Sequence, residues 1–522
     1  MKLVYHSQRS IPRLAWCAVL RKGSPEVHVY HGTSVEVQEA FFVEGAWDGD
    51  FTAVDCTGLF DQSSFLLGTG GKLLRGGDQR GVVFATPSHT LERLWSISSE
   101  DCLFVSNSLP FILSMSRSSL DITYLYYERD LNSILKGINS YVRTLPLLGK
   151  RELRVHYYCN VFVDSTLALT EFAKPRIEPF RDYEHYLDAM ISTLRRLVKN
   201  AQAPQRKVRY GLCSTISRGY DAPACAAIAR ELGCDLAVSF NHPEKYIQDC
   251  GVDIASRLGY AKVVTKSAVE YLQNESLIEA EFMASGELGT LIVFSAFERE
   301  FRDNIVFMGI RGGRMWGKNE EHPNHELRFE NQVFSSTSAT ENRLRVGYIM
   351  LPMALFGATQ WPSIHRISNS PEMAPFSIGG DYDRPIPRRI LESRGVERSM
   401  FAQRKTGAGF NFRWDNLRRI QRRMSPPSFA SFMRFLKDHK HEGQRTFRQW
   451  AEFLWDARTQ YVAYAFSKVG IPYKAKTVTA DAYPNPGAAS YLFHWGVHEM
   501  MKRYSDVELG DITSDLWEGE VR

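Results

Sequence analysis

The chain has 522 residues, of which 44% are hydrophobic and 24% charged, enough apolar material for two or three domains with cores of their own. Sixty-four Lys and Arg against 59 Asp and Glu leave a net charge of +5, too small an excess to call for nucleic acid or an anionic surface as partner. A disordered or fibrous chain is excluded by the same figures.

No stretch reaches the roughly 20 apolar residues of a spanning helix; the longest run, 346–356, is broken by Pro352. Lys2, His6, Gln8, Arg9 and Arg13 leave no apolar core for a signal peptide, so a cytoplasmic protein is expected. The eight cysteines contain no C-x-x-C pair, so their spacing suggests neither a disulfide framework nor a zinc site, and they read as buried thiols.

Short β-type runs at 27–30, 51–54, 82–85, 102–105 and 155–163, separated by Gly, Ser and Asp turns, predict a sheet-rich first domain. Pro175 and Pro179 mark a linker, after which Leu187, Ile191, Leu194 and Val198 fall at helical spacing in 183–199. The expected division is therefore 1–175 and 176–522. In the second part, strand 208–213, helix 224–232, strand 236–240, helix 252–258 and strand 262–264 alternate in the manner of a parallel sheet. Pro223 in the first turn and Gly233 just past the end bracket the first of these helices. A further strand at 304–309 runs into Arg311-Gly312-Gly313, and from about Glu341 the pattern is mainly helical. In sheets of this kind ligands sit beyond the carboxyl ends of the strands.

The stretch Cys213-Ser214-Thr215-Ile216-Ser217-Arg218-Gly219-Tyr220-Asp221-Ala222-Pro223 lies at such an end. Hydroxyls and a glycine leading into a helix N-terminus offer N–H groups and a positive dipole end to a phosphate. An ordinary strand-to-helix turn, with an Asp near the helix start for capping, fits the same residues.

Ser217-x-Gly219-x-Asp221 resembles the pyrophosphate-binding loop, S-G-G-x-D-S, of the asparagine synthetase group of N-type ATP pyrophosphatases. The resemblance covers most of the chain. Glu44-Gly45-Ala46-Trp47-Asp48-Gly49-Asp50-Phe51 is similar to the G-x-x-D-G-x-F-A turn of that family's glutaminase half, and Phe104-Val105-Ser106-Asn107-Ser108 to its x-F-A-S-E strand end. Residues 309–317 stand in the place of the family's second, acidic loop. Residues 383–389, followed by Arg404-Lys405-Thr406-Gly407, resemble the stretch bearing its R-x-K-x-G basic residues.

The implied fold is α/β: an N-terminal glutaminase-like (Ntn-type) α+β sandwich, then an adenine-nucleotide α-hydrolase-like parallel-sheet domain with a helical C-terminal part. The implied chemistry is ATP-dependent activation of a carboxylate with loss of pyrophosphate, followed by attack of an amine or ammonia to form an amide. ATP and Mg²⁺ are the implied cofactors, and a small-molecule acid and an amine or ammonia the partners. Neither membrane nor nucleic acid is expected, and a homodimer is compatible with the family. By the same resemblance Ser217 and Gly219 hold the pyrophosphate, Asp221 supports the loop and Mg²⁺, and Lys405 neutralises charge in the transition state.

Three departures shape the expectation. Position 2 is Lys where glutamine-hydrolysing members need an N-terminal Cys whose α-amine serves as base, so glutamine is not the expected nitrogen donor. Exposing Cys17 instead requires removal of a leader. Ala222 replaces a Ser of the loop, leaving Ser214 or Thr215 as substitute hydroxyls. The second loop carries Arg311, Gly312, Gly313 and Arg314 where the family has an acidic pair, which suits direct binding of polyphosphate by Arg311 and Arg314. The same exchange motivates a rival expectation, a non-catalytic binding or scaffold protein. A third reading, a nucleic-acid-modifying ATP pyrophosphatase, rests on the fold and the basic run 413–423, which otherwise reads as a solvated helix face. His494 and His498 lie four residues apart without the His-Glu-x-x-His order, Gly68-Thr69-Gly70-Gly71-Lys72 lacks the P-loop's flanking residues, and Arg343 and Arg345 read as salt-bridge partners.

Overall fold

The structure, a computed structural model, describes residues 1–51, 59–74, 80–241, 249–286, 289–320, 322–329, 338–380, 382–403, 410–413, 415–439, 451, 454–455, 458, 462, 465–466 and 487–508. Its first part is built from β1 (Lys2–Ser7), β2 (Trp16–Arg21), β3 (Glu26–His31), β4 (Glu36–Val37), β5 (Phe41–Trp47), β6 (Leu66–Leu74), β7 (Gly81–Ala85), β8 (Leu94–Ser98), β9 (Cys102–Ser106), β10 (Thr144–Pro146), β11 (Glu152–His156), β12 (Cys159–Asp164) and β13 (Leu169–Ala173). Two sheets result, with orders β1-β3-β2-β9-β8-β11-β10 and β13-β12-β7-β6-β5-β4. Period-two alternation explains how they stack. Trp16, Ala18 and Leu20 of β2 join Val82, Phe84, Val161 and Val163 of the other sheet in one core, while Cys17 and Val19 point the other way, into the main core with Phe111 and Ile112.

The expected strand 155–163 is in fact two strands. At Tyr157-Tyr158 the chain leaves one sheet for the other, with Tyr158 at φ +52°. The expected strand 51–54 falls, beyond Phe51, outside the described residues. Gly68 to Lys72 lie within β6, all paired with β5 and Gly70 to Lys72 also with β7, so they form no phosphate loop.

The second part opens with the helix Tyr183–Ala201, whose Asp182 side chain accepts the His185 N–H at 2.8 Å and whose Tyr186, Met190, Leu194 and Leu197 are buried. Then follow β14 (Gly211–Thr215), β15 (Leu236–Asn241), β16 (Lys262–Ser267), β17 (Asn304–Met308) and β18 (Ile349–Pro352). They form one sheet, β16-β15-β14-β17-β18, with every neighbouring pair parallel. The molecule is thus mixed α/β with a parallel sheet. β18 falls in the region expected to be helical: Ile349, Met350 and Leu351 are all buried, and so short an apolar run has no period that distinguishes strand from helix. The order reverses at β14, which has β15, next in sequence, on one side and β17 on the other. Among the described residues no helix is long and apolar enough to cross a membrane.

Buried charge joins the two parts. Arg343, in the helix Thr340–Val346, makes a bidentate pair with Glu44 of β5 (2.7 and 2.9 Å) and a third bond to Glu92 (2.6 Å). Asn107 and Thr69 also donate to Glu44, at 3.3 and 2.9 Å. Arg345 pairs with Glu281 and Glu298. Both arginines are salt-bridge partners, as their sequence context implies.

Candidate functional site

The strand order reverses at β14, so the carboxyl ends of β14 and β17 stand where open parallel sheets take their ligands. From β14 the chain passes through Ile216 to Tyr220 into the helix Asp221–Glu231; from β17 it passes through Gly309 into the short helix Gly312–Met315. The first turn of a helix leaves N–H groups without intrahelical acceptors and a positive dipole end, here aimed from the first loop. Ser217 Oγ accepts the Gly219 N–H at 3.2 Å, and the Arg218 N–H goes to the Asp249 side chain at 3.2 Å. Behind them Ser239 Oγ donates to the Ile216 carbonyl and accepts the Gly251 N–H, both at 2.9 Å.

The two loops are in contact, and glycine makes the contact feasible. A Cβ on Gly309 would stand 2.5 Å from the Ala222 nitrogen, and one on Gly312 2.5 Å from Cγ of Asp221. On Gly313 it would stand 2.5 Å from a guanidinium nitrogen of Arg384. Arg384, immediately before the helix Pro385–Glu392, is ion-paired with Asp221 and stacks over Tyr382 and Tyr220, its guanidinium carbon 4.8 and 5.9 Å from the ring centres. Arg388, one turn on, donates to the Tyr220 hydroxyl.

Of the residues singled out from sequence, Ser217, Gly219, Asp221, Arg311 and Arg314 are brought to this pair of loops. Ser214 is not on the loop surface: it sits inside β14, fully buried, its hydroxyl directed at the Thr215 carbonyl at 3.3 Å. Thr215 donates to the Phe307 carbonyl of β17 at 3.1 Å. Arg311 lies in the left-handed region at φ +66° with its guanidinium over Phe329, and burial, aided by the nearby Arg314, pushes its pKa down to about 10, so it stays charged at neutral pH. Arg314 is held by Glu320 through two bonds of 2.8 and 3.1 Å. Lys405 lies outside the described residues. Arg384 was not singled out, because its partner Asp221 is 163 positions away; the cluster of arginines at 383–389 was its only trace in the sequence.

Guanidinium groups, loop N–H groups and a helix N-terminus suit the phosphates of ATP. Mg²⁺ held by the protein would call instead on hard oxygen donors. Three carboxylates here are ion-paired with arginines, Asp221 with Arg384, Glu320 with Arg314 and Asp253 with Arg218, while Asp249 accepts the Arg218 backbone N–H. Asp221 anchors Arg384 through its Oδ2.

In the first part, the two segments that carried the resemblance meet around Glu44, through Asn107, which also accepts the Trp16 N–H at 2.9 Å. Cys17 is fully buried near the start of β2, between Tyr30 of β3 and Ser106 of β9, and burial raises its thiol pKa far above the usual range. Cleavage before Cys17 would remove β1 and its six-residue parallel pairing with β3. The basic run 413–423 is partly internal: Arg413 is buried near Glu128, and Arg423 pairs with Asp415 at 2.6 Å. No protein-family model matches the chain, and no curated protein matches it.

Proposed function

We propose that the chain is an asparagine synthetase-like, ATP-dependent amide-forming enzyme that activates a carboxylate with release of pyrophosphate and takes nitrogen from ammonia or an amine, not from glutamine. The observation that carries this reading is the contact of the Ser217–Asp221 loop with the Gly309–Gly313 loop at the strand-order reversal. Two stacked sheets of 7 and 6 strands followed by a parallel sheet agree with a glutaminase-like sandwich joined to an adenine-nucleotide α-hydrolase-like domain. The burial of Cys17, paired on both sides within its sheet, argues against that thiol as a glutaminase nucleophile.

In this reading ATP supplies the adenylyl group that activates the acid. The chain's own residues bind and orient. Loop N–H groups after Gly219 and the N-terminus of the helix Asp221–Glu231 face the phosphates, and Arg384, anchored by Asp221, and Arg311 balance the charge of the departing pyrophosphate. Lys405 has the same role in the resemblance. A non-catalytic nucleotide-binding protein is the second reading, favoured by the engagement of Asp221, Glu320 and Asp253 with arginines.

The experiment is pyrophosphate release from ATP by the full chain with a panel of candidate acids and amines, alongside equilibrium binding of ATP. Release that depends on an acid supports the enzyme, and binding without release under any pairing supports the second reading. ATP affinity unchanged in a folded Ser217→Ala, Asp221→Ala double variant would sink both.

A further inference from the structure

The N-terminal sandwich holds a donor set that the nucleotide reading does not use. β11 ends at His156 in one sheet and β12 begins at Cys159 in the other, so the Tyr157-Tyr158 crossing brings an imidazole and a thiol to the seam between the sheets. β13 pairs antiparallel with β12, placing Glu171 opposite Val161; alternation then puts Glu171 on the same face as Cys159. The ligand atoms of His156, Cys159 and Glu171 all lie within 4.8 Å of one another.

The surroundings are organised as well. His156 Nδ1 is 2.6 Å from Glu171 Oε1, while its other nitrogen, Nε2, is 2.8 Å from the hydroxyl of the buried Ser96. Arg143 pairs with the second oxygen of Glu171. Cys159 and Glu171, together with Arg143, Tyr157 and the buried Lys174, also line a cleft of about 560 Å³.

We propose that His156 Nδ1, Cys159 Sγ and Glu171 Oε1 bind a zinc-class divalent ion whose fourth position opens on this cleft. Imidazole, thiolate and carboxylate are all zinc donors, and three protein ligands with one open position distinguish reactive zinc sites from closed, structural ones. Ser96 on Nε2 would fix the ring so that Nδ1 faces the metal, and Arg143 would hold the carboxylate by the oxygen the metal does not use, the outer contacts such sites have. In a tetrahedral site these donors stand about 3.3 Å apart, so imidazole and carboxylate must separate by under about 1 Å. Burial pushes the Cys159 thiol up to about 12, with Glu171 acting in the same direction and Lys174 and Arg143 against it. The thiol therefore stays protonated until a dication displaces the proton to solvent. C-x-x-C spacing could not reveal such a site, because its ligands are one Cys, one His and one Glu from three strands and two sheets.

The full chain, stripped with chelator and titrated with Co²⁺, tests this. One equivalent is expected to bind with a thiolate-to-cobalt absorption band, and Zn²⁺ should bleach that band stoichiometrically. Cys159→Ser should lose the band, Glu171→Gln should weaken zinc at least tenfold, and Ser96→Ala should keep the band while affinity falls ten- to a hundredfold. Circular dichroism selects the variants that retain the fold, and the wild-type and Glu171→Gln arms decide if Cys159→Ser does not fold. Absence of a thiolate band in the folded wild type, a band that survives Cys159→Ser, or zinc affinity unmoved by Glu171→Gln each overturns the site. Pyrophosphate release is independent of all these readouts.

Discussion

Gly219 and Gly309 lie on the loops that follow β14 and β17, yet the chain needs glycine at the two positions for different reasons. A Cβ on Gly309 would collide with the backbone of Asp221 and Ala222, so Gly309→Ala forces the two loops apart. Overpacking of this kind costs about 1–3 kcal/mol, and ATP affinity should fall with it. A Cβ on Gly219 would meet only Ser217 Oγ at 3.5 Å and the Tyr382 hydroxyl at 3.7 Å, ordinary contacts, and its φ is not positive. Packing does not explain this glycine; under the proposed function, close approach of ATP to the backbone would. Gly219→Ala is therefore expected to keep or raise thermal stability, by up to about 1 kcal/mol from the stiffer unfolded chain, while weakening ATP binding at least tenfold. Thermal melts paired with ATP titrations separate the two; unaltered ATP affinity in Gly219→Ala would remove the ligand argument for this loop. The sequence marks both positions only as Gly, and their different roles become visible only when the opposing loop is in place.

The helix Thr340–Val346 shows what a short element can hold together. Arg343 is 1% exposed and serves two buried carboxylates at once. Arg343→Leu strands Glu44 and Glu92 without their cation, a loss of about 3–5 kcal/mol that should appear as a lower urea midpoint. Two positions earlier, Glu341 accepts the Ser108 hydroxyl at 3.0 Å, and burial raises its carboxyl pKa to about 7. A folded-state pKa above that of the unfolded chain contributes stability that is fully present below the unfolded value, near 4.5, and lost as pH rises through about 7. The full swing amounts to roughly 3 kcal/mol. His31, His89 and His494, lowered to about 4 by burial, act in the opposite sense, each losing stability as pH falls below 6.5. Comparison with Glu341→Gln, which keeps an acceptor for Ser108, isolates the carboxyl: the variant should gain on wild type between pH 5 and 8. Parallel urea curves for the two proteins over that range would show that Glu341 does not titrate there. Element identity was legible where period or punctuation was strong, as in the helix at Tyr183 and the alternation from β14 to β16. It failed at β18 and at the β11–β12 crossing, where buried apolar runs continue unbroken through a change of element or of sheet.

At the scale of the molecule, the Ser217–Asp221 loop after β14 was legible because its residues are neighbours in the chain, whereas the charge arrangement around it was not. Where each arginine is held relative to an incoming anion is decided by partners the sequence places far apart or leaves ambiguous. Arg314, the cation of choice on the second loop by spacing, spends its charge on Glu320 through two bonds. Arg384 is fixed on Asp221, Tyr382 and Tyr220 against the glycine face of that loop, with the helix N-terminus of the first loop beside it. A charge-assisted bond to phosphate contributes about 1.5–3 kcal/mol, which corresponds to ten- to a hundredfold in rate if it strengthens as pyrophosphate departs. Arg384→Ala is thus expected to slow pyrophosphate release ten- to a hundredfold while weakening ATP binding much less; Arg314→Ala should do less to either. Asp221→Asn adds a check on the metal. As an anchor for Arg384 it should lower the rate without moving the Mg²⁺ concentration at half-maximal rate, whereas a magnesium ligand at this position would raise that concentration. Release from wild type, Arg384→Ala, Arg314→Ala and Asp221→Asn, measured across Mg²⁺ concentrations, distinguishes these outcomes. Equal rates for wild type and Arg384→Ala would take the arginine out of the chemistry, and a raised Mg²⁺ midpoint in Asp221→Asn would return the aspartate to the metal.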